Sequence, residues 1–187
     1  MRGEIREMIA KLSPLDTTEA EHIDFSLAWI DSGAELFRIA KPAAPDPHLV
    51  SYFVVVDGDD LLLVDHINAE LWLPTGGHVE PGEHPKETVV REVKEELGID
   101  AVFLFDNPIL ITVSETVGKT AGHTDVSLWF VLQGSKRQSL TFDVSEFRSV
   151  NWFHRTEVPF NRTDQNLGRF LQKLHHLCKN ETTGPDN

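Results

Sequence analysis

Two spacings of hydrophobic positions alternate along the chain. Ile5, Met8, Ile9 and Leu12 recur at helical intervals, and Pro14 breaks that segment. Thr18 and Glu21 have the spacing of a capping box. They predict a second helix with Ile23, Leu27 and Ile30 on its inner stripe and Gly33 at its end. Residues 35–39 read as a short strand, and Pro42, Pro45 and Pro47 impose an extended linker. The character then changes. Residues 50–56 are β-branched and aromatic, Asp57-Gly58-Asp59-Asp60 turns, and 61–64 is apolar again, which predicts a hairpin. A Pro/Gly-rich loop occupies 74–82. A helix from about His84 to Leu97 follows, with Pro85 tolerated in its first turn and Gly98 as its stop. Strands are expected at 109–114, 126–132 and 149–153. A last helix starts near Thr163, with Leu167, Phe170, Leu171, Leu174 and Leu177 as its apolar stripe. The organisation predicted is an N-terminal helical extension (1–46), one α+β domain (47–178) and a flexible polar tail (179–187).

Composition narrows the partners more than the fold. At 187 residues the chain can bury a core of useful size. Its net charge of −13 disfavours nucleic acid, which is held by Lys and Arg displacing counterions, and also an anionic membrane surface. A small anionic substrate stays open, because bound divalent cations reverse the local sign. The single cysteine, Cys178, allows no intrachain disulfide and suits a reducing compartment. With neither a signal peptide nor an apolar run of membrane-spanning length, a cytoplasmic protein is expected.

The chemistry concentrates in residues 77–99, GHVEPGEHPKETVVREVKEELGI. On a helix, Glu92, Glu95 and Glu96 share one face, while Val89, Val93 and Leu97 lie on an adjacent face that can enter the core. Like charges at this spacing repel, by a few tenths of a kcal/mol per pair even when exposed. A hard divalent cation such as Mg²⁺, which prefers oxygen ligands, removes that repulsion. Arg91 flanks the cluster, and Glu83 sits between loop and helix, in reach of the acidic face or of Arg91. Seen alone, a Glu-rich helix face is more often simply solvated, and Glu87 fits that reading.

The same stretch resembles the Nudix box, G-x5-E-x7-R-E-U-x-E-E-x-G-U with U aliphatic, matched at Gly77, Glu83, Arg91, Glu92, Val93, Glu95, Glu96, Gly98 and Ile99. Seven fixed letters match by chance on the order of once in a billion starts. The resemblance implies an α/β/α sandwich around a mixed β-sheet. It also implies hydrolysis of a phosphoanhydride bond in a nucleoside-diphosphate-linked compound. Glu92, Glu95 and Glu96 would bind Mg²⁺ (or Mn²⁺), with the Gly77 carbonyl as a further ligand. Glu83 and Arg91 would hold the carboxylates in place. The general base is Glu92 in some members and a later acidic residue in others. Asp143 and Glu146 are the candidates here, against the reading that each is an ordinary loop carboxylate.

Substrate choice lies outside the box. The segment 158–160 with Asp164 and Gln165 is similar to the base-reading region of the branch that removes oxidised purine nucleotides, although Asp164 could equally serve an early helical turn near a Thr163 cap. Phe53 and Trp152 are candidates for stacking on a base, as are Trp72 and Trp129, each weighed against a place in the core. Glu115, His123 and Asp125 bracket a loop at 117–122 that could cover a substrate. These readings favour a (deoxy)nucleoside triphosphate such as 8-oxo-dGTP. ADP-ribose, a nucleotide sugar or a dinucleotide polyphosphate is the alternative, and a nucleotide sensor without turnover is a different class. The N-terminal helices could cover the sheet, frame the pocket or build a homodimer.

Overall fold

A computed structural model describes residues 1–40, 44–116 and 122–182, the side chains of 180–182 excepted. The order is α1 (Arg2–Ala10), α2 (Thr17–Asp31), β1 (His48–Asp57), β2 (Asp60–His66), β3 (Leu71–Leu73), β4 (Thr75–His78), α3 (Pro85–Leu97), β5 (Leu110–Glu115), β6 (Thr124–Gln133), β7 (Phe147–His154), a 3-10 turn (Phe160–Arg162) and α4 (Leu167–Thr182). One mixed sheet runs β3-β2-β1-β6-β5, with β4 also on β1 and β7 also on β2. Among the strands of the described residues, β1 and β6 alone pair in parallel, from His48 with Asp125 to Val56 with Gln133. The near-continuous burial of both strands follows, since a central strand is covered on both faces.

Side-chain alternation divides the core into two layers. Phe53, Val55, Leu62, Val64 and Phe130 pack with Ile5, Ile9 and Ile30 of α1 and α2 and with Val89, Val93 and Leu97 of α3. Val54, Leu61, Leu63, Trp129 and Val131 pack with Leu167 and Phe170 of α4. Helices therefore cover both faces, as an α/β/α sandwich requires.

The N-terminal helices pack on this sandwich. Glu19 of α2 is fully buried and accepts from the backbone N–H of Leu15 at 2.7 Å and of Ile111, on β5, at 3.4 Å. It also pairs with the buried ammonium of Lys173 on α4. Arg169 of α4 donates to both oxygens of Asp16, at 2.9 and 2.6 Å.

Several expectations are corrected. The N-cap of α2 is Asp16, which accepts from Glu19 N at 2.8 Å, rather than Thr18. Residues 35–39 form no strand; Leu36 is buried, and only Ala40 bridges to Ala44. The loop at 74–82 contains β4, two of whose four residues are glycine, so no propensity announced it. The last helix begins at Leu167, not Thr163, whose hydroxyl instead donates to the Trp72 carbonyl at 2.5 Å. It continues through Thr182, so the tail does not begin at 179; residues 183–187 lie outside the described residues.

Candidate active site

The glutamates are positioned by a helix whose ends are both sequence-encoded. His84 caps α3, accepting from Lys86 N at 3.1 Å, while its own N–H donates to Glu87 at 2.8 Å. Pro85 occupies the first turn and Gly98 ends the helix in the left-handed conformation, φ 70°. Val89, Val93 and Leu97 lock one face into the core, which turns Glu92 and Glu96 towards β4. That strand lies against β1 with Ser51 opposite Gly77 and Tyr52 opposite Gly76.

The contact between helix and strand is tight. Gly76 N–H donates to Glu96 Oε2 at 3.2 Å. A Cβ on Gly77 would stand 2.9 Å from Glu92 Cγ and nearer still to its carboxylate, so only glycine leaves Glu92 its place. Burial, with the charges of Glu92 and Glu146 beside it, pushes the Glu96 carboxyl up to about 9. Burial raises Glu92 as well, against the lowering pull of Arg91.

Arg91 stands behind these carboxylates. Its Nε and Nη2 donate to the two Glu83 oxygens at 2.9 and 3.0 Å, and its Nη1 donates to Glu92 at 2.6 Å. Glu83 further accepts from Thr88 Oγ1 at 2.8 Å and Glu80 N at 3.1 Å. With its acceptor sites used this way, Glu83 holds Arg91, and Arg91 holds Glu92.

Glu92 and Glu96 open onto a cavity of about 1050 Å³, which Gly76, Gly77 and Glu146 also line. Asp164 and Gln165 border the same cavity, as do Thr112 and Ser114 of β5. Burial raises the Asp164 carboxyl, while its Oδ1 accepts from Asn166 N at 2.7 Å. Of the two loop candidates, Glu146 reaches the cavity and Asp143 does not. The Asp143 carboxylate is turned to Ser145, accepting from its N–H at 2.7 Å and its hydroxyl at 2.6 Å.

Other candidates stand elsewhere. Glu95 is outside the cavity lining, 62% exposed, with Arg91 Nη1 3.5 Å away. Phe53 is fully buried in the core on the α3 side, and Trp152 packs at the edge of that cluster; neither lines the cavity, which corrects the expectation that they stack on substrate. Trp129 is a core residue whose indole N–H donates to Thr112 Oγ1 at 2.9 Å, and Trp72 packs edge-on against Phe153. Glu115, His123 and Asp125 do line the cavity, whereas 117–121 of the loop they bracket lies outside the described residues. Sequence reasoning missed His48 and His78. His48 faces Asp125 only through the parallel β1–β6 pairing, which no local pattern specifies. No helix among the described residues is long and apolar enough to cross a membrane.

The chain is similar to several known proteins. An NAD-capped RNA hydrolase, NudC, of Stutzerimonas stutzeri is 28% identical over 124 residues, which are 65% of this chain and 42% of that protein. The asymmetrical bis(5'-nucleosyl)-tetraphosphatase of Sus scrofa is 60% identical over 30 residues, 16% of this chain and 20% of that one. The chain thus spans less than half the length of these curated relatives. A Nudix-family hydrolase from Clostridium perfringens shares the fold at a TM-score of 0.55 and 24% identity, covering 70% of this chain and 97% of that structure. The NUDIX domain model itself matches residues 47–174, well over half of the chain and the whole of the box, so the chain belongs to the Nudix family.

Proposed function

We propose that the chain hydrolyses a phosphoanhydride bond in a nucleoside-diphosphate-linked compound, with a (deoxy)nucleoside triphosphate such as 8-oxo-dGTP as substrate and a monophosphate plus pyrophosphate as products. The observation that carries this reading is the convergence of Glu92, Glu96 and Glu146 on one cavity that Asp164 and Gln165 also border. The names of the relatives point to different nucleotide compounds, so the choice within the class rests on the cavity.

The donor set fits Mg²⁺ or Mn²⁺, because it offers oxygen alone and because a divalent cation offsets both the burial of Glu96 and the neighbouring charges of Glu92 and Glu146, which together raise its carboxyl. Glu92 and Glu96 would hold it with the Gly77 carbonyl, Glu95 would join from the rim by a change of rotamer, and Glu146 would stay free to act as base. Such an ion, when bound, neutralises the diphosphate and lowers the pKa of water. Glu146 takes the proton of the attacking water. The water oxygen bonds to phosphorus, the bridging P–O bond breaks, and pyrophosphate leaves. Arg91 fixes the carboxylate of Glu92 throughout. Asp164, whose carboxyl burial raises, borders the cavity with Gln165 and is the group placed to pair with a purine edge.

One panel tests this. The protein is incubated with Mg²⁺ and nucleoside triphosphates, 8-oxo-dGTP, ADP-ribose, nucleotide sugars and dinucleotide polyphosphates, and the products are resolved. Monophosphate with pyrophosphate is the expected pair. AMP with ribose phosphate moves the substrate to ADP-ribose, and binding across the panel without turnover overturns the hydrolytic reading.

A further inference from the structure

We propose that His48, His78, His123 and Asp125 form a second metal site, for a transition-metal ion of the zinc class, distinct from the glutamate cluster. One ligand atom from each of the four lies within 4.8 Å of the other three. Three strands assemble them. His48 opens β1, Asp125 stands opposite it on parallel β6, His123 just precedes β6, and His78 ends β4 across from Val50.

The hydrogen bonds of the group leave two of its buried atoms without a partner. His48 is wholly buried, and its Nδ1 lies 2.8 Å from the Pro45 carbonyl, an acceptor only, so Nδ1 carries the proton. Its Nε2, the nitrogen left to face a metal, lies 3.3 Å from Asp125 Oδ1. Both atoms are buried without a hydrogen-bond partner, although they lie at ion-pair distance. Two buried polar atoms placed this way without a hydrogen bond can both be reached by a cation off the line joining them. His123 Nε2 lies 3.3 Å from the same Asp125 oxygen. Ligand atoms around a tetrahedral Zn²⁺ with bonds of about 2.0–2.1 Å are about 3.3–3.4 Å apart, so both separations already have the length of a tetrahedron's edge. The contacts behind the rings are those of metal-bound histidines: Pro45 O fixes His48, and Thr116 Oγ1 lies 3.2 Å from His123 Nδ1.

Three nitrogens and one oxygen select zinc-class ions over Mg²⁺. His78, His123 and Asp125 border the cavity, so an ion there can accept a phosphate oxygen as a further ligand. One group opposes binding. Arg38 Nη1 stands 3.3 Å from His78 Nε2, and its charge repels the ion.

The test uses the metal-free 187-residue chain. Bound Zn²⁺ is counted after equilibration and gel filtration, and Co²⁺ substitution is followed by its visible d–d bands. One equivalent is expected in the native chain and in the Glu92→Gln/Glu96→Gln double variant, with tetrahedral Co²⁺ absorption. His123→Ala and the isosteric Asp125→Asn are each expected to weaken binding beyond the roughly 10–100-fold of an outer-shell change. Arg38→Gln is expected to tighten it. Circular dichroism establishes that each variant is folded; if His123→Ala is not, Asp125→Asn decides. Absence of stoichiometric Zn²⁺, its retention by Asp125→Asn, or its loss in the glutamine double variant would overturn the proposal.

Discussion

Gly77→Ala is a small change with a large expected effect. A Cβ there would lie 2.9 Å from Glu92 Cγ and closer to the carboxylate, where ordinary contact begins at 3.4 Å. The side chain must therefore give about half an ångström at Cγ and about 1 Å or more at its oxygens. Glu92 is also tied to Arg91 at 2.6 Å, so it cannot retreat without disturbing the Arg91–Glu83 pair. Misplacing a catalytic group by about 1 Å costs on the order of 100-fold in rate, or about 2.7 kcal/mol of barrier. The fold should survive, because the obstacle is a side chain and Gly77 holds no positive φ. Gly76→Ala is the contrast, since its Cβ would meet the Ser51 backbone carbonyl and break the β1–β4 pairing. The assay is kcat and KM for nucleotide hydrolysis at saturating Mg²⁺, with a thermal melt of the same sample. If Gly77→Ala kept turnover within threefold of the parent, Glu92 would not be a site group.

Glu146→Gln should reduce kcat by about 100-fold or more, the scale of a lost general base, and Asp143→Asn, whose partner is Ser145, should leave it within twofold; equal losses would refute the distinction. Lys173→Met leaves the Glu19 carboxylate buried and unpaired, which should cost about 3–5 kcal/mol and lower Tm by roughly 6–20 °C; urea denaturation within 1 kcal/mol of the parent would count against it. Asp16, held down to about 2 chiefly by its hydrogen bonds from Arg169, stabilises the fold above the ordinary value of 3.8 and ceases to as pH falls through its folded value. Because this pair is partly exposed, Arg169→Met should cost no more than about 1 kcal/mol and flatten the acid limb of the stability curve. Asp164→Ala should change the ranking of purine bases with little change in metal affinity; an unaltered ranking with a lower Tm would make it a helix-turn residue only.

The box was legible because its physics is local. Helical spacing alone puts Glu92 and Glu96 together, and the core face of α3 fixes which way they point. Spacing also grouped Glu95 with them, but the distinction between Glu95 on the rim and Glu96 in the wall depends on where β4 lies. That strand, rich in glycine, carries no pattern of its own. Aromatic residues misled for a related reason: Phe53 has the composition of a stacking residue, and only its parity on β1 sends it into the core. His48 and His78 escaped notice because strand register, not sequence proximity, unites them with His123 and Asp125.

The pairing of Glu19 with Lys173 joins residues 154 positions apart. During synthesis, the first helices emerge long before the ammonium that neutralises them. The carboxylate of Glu19 must wait in solvent until α4 leaves the ribosome, so α2 cannot dock for good before then. Cutting the chain at the borders of the family match, 47–174, would keep Lys173 and discard its counter-charge. A protein trimmed that way should aggregate or melt early even though every residue of the box remains.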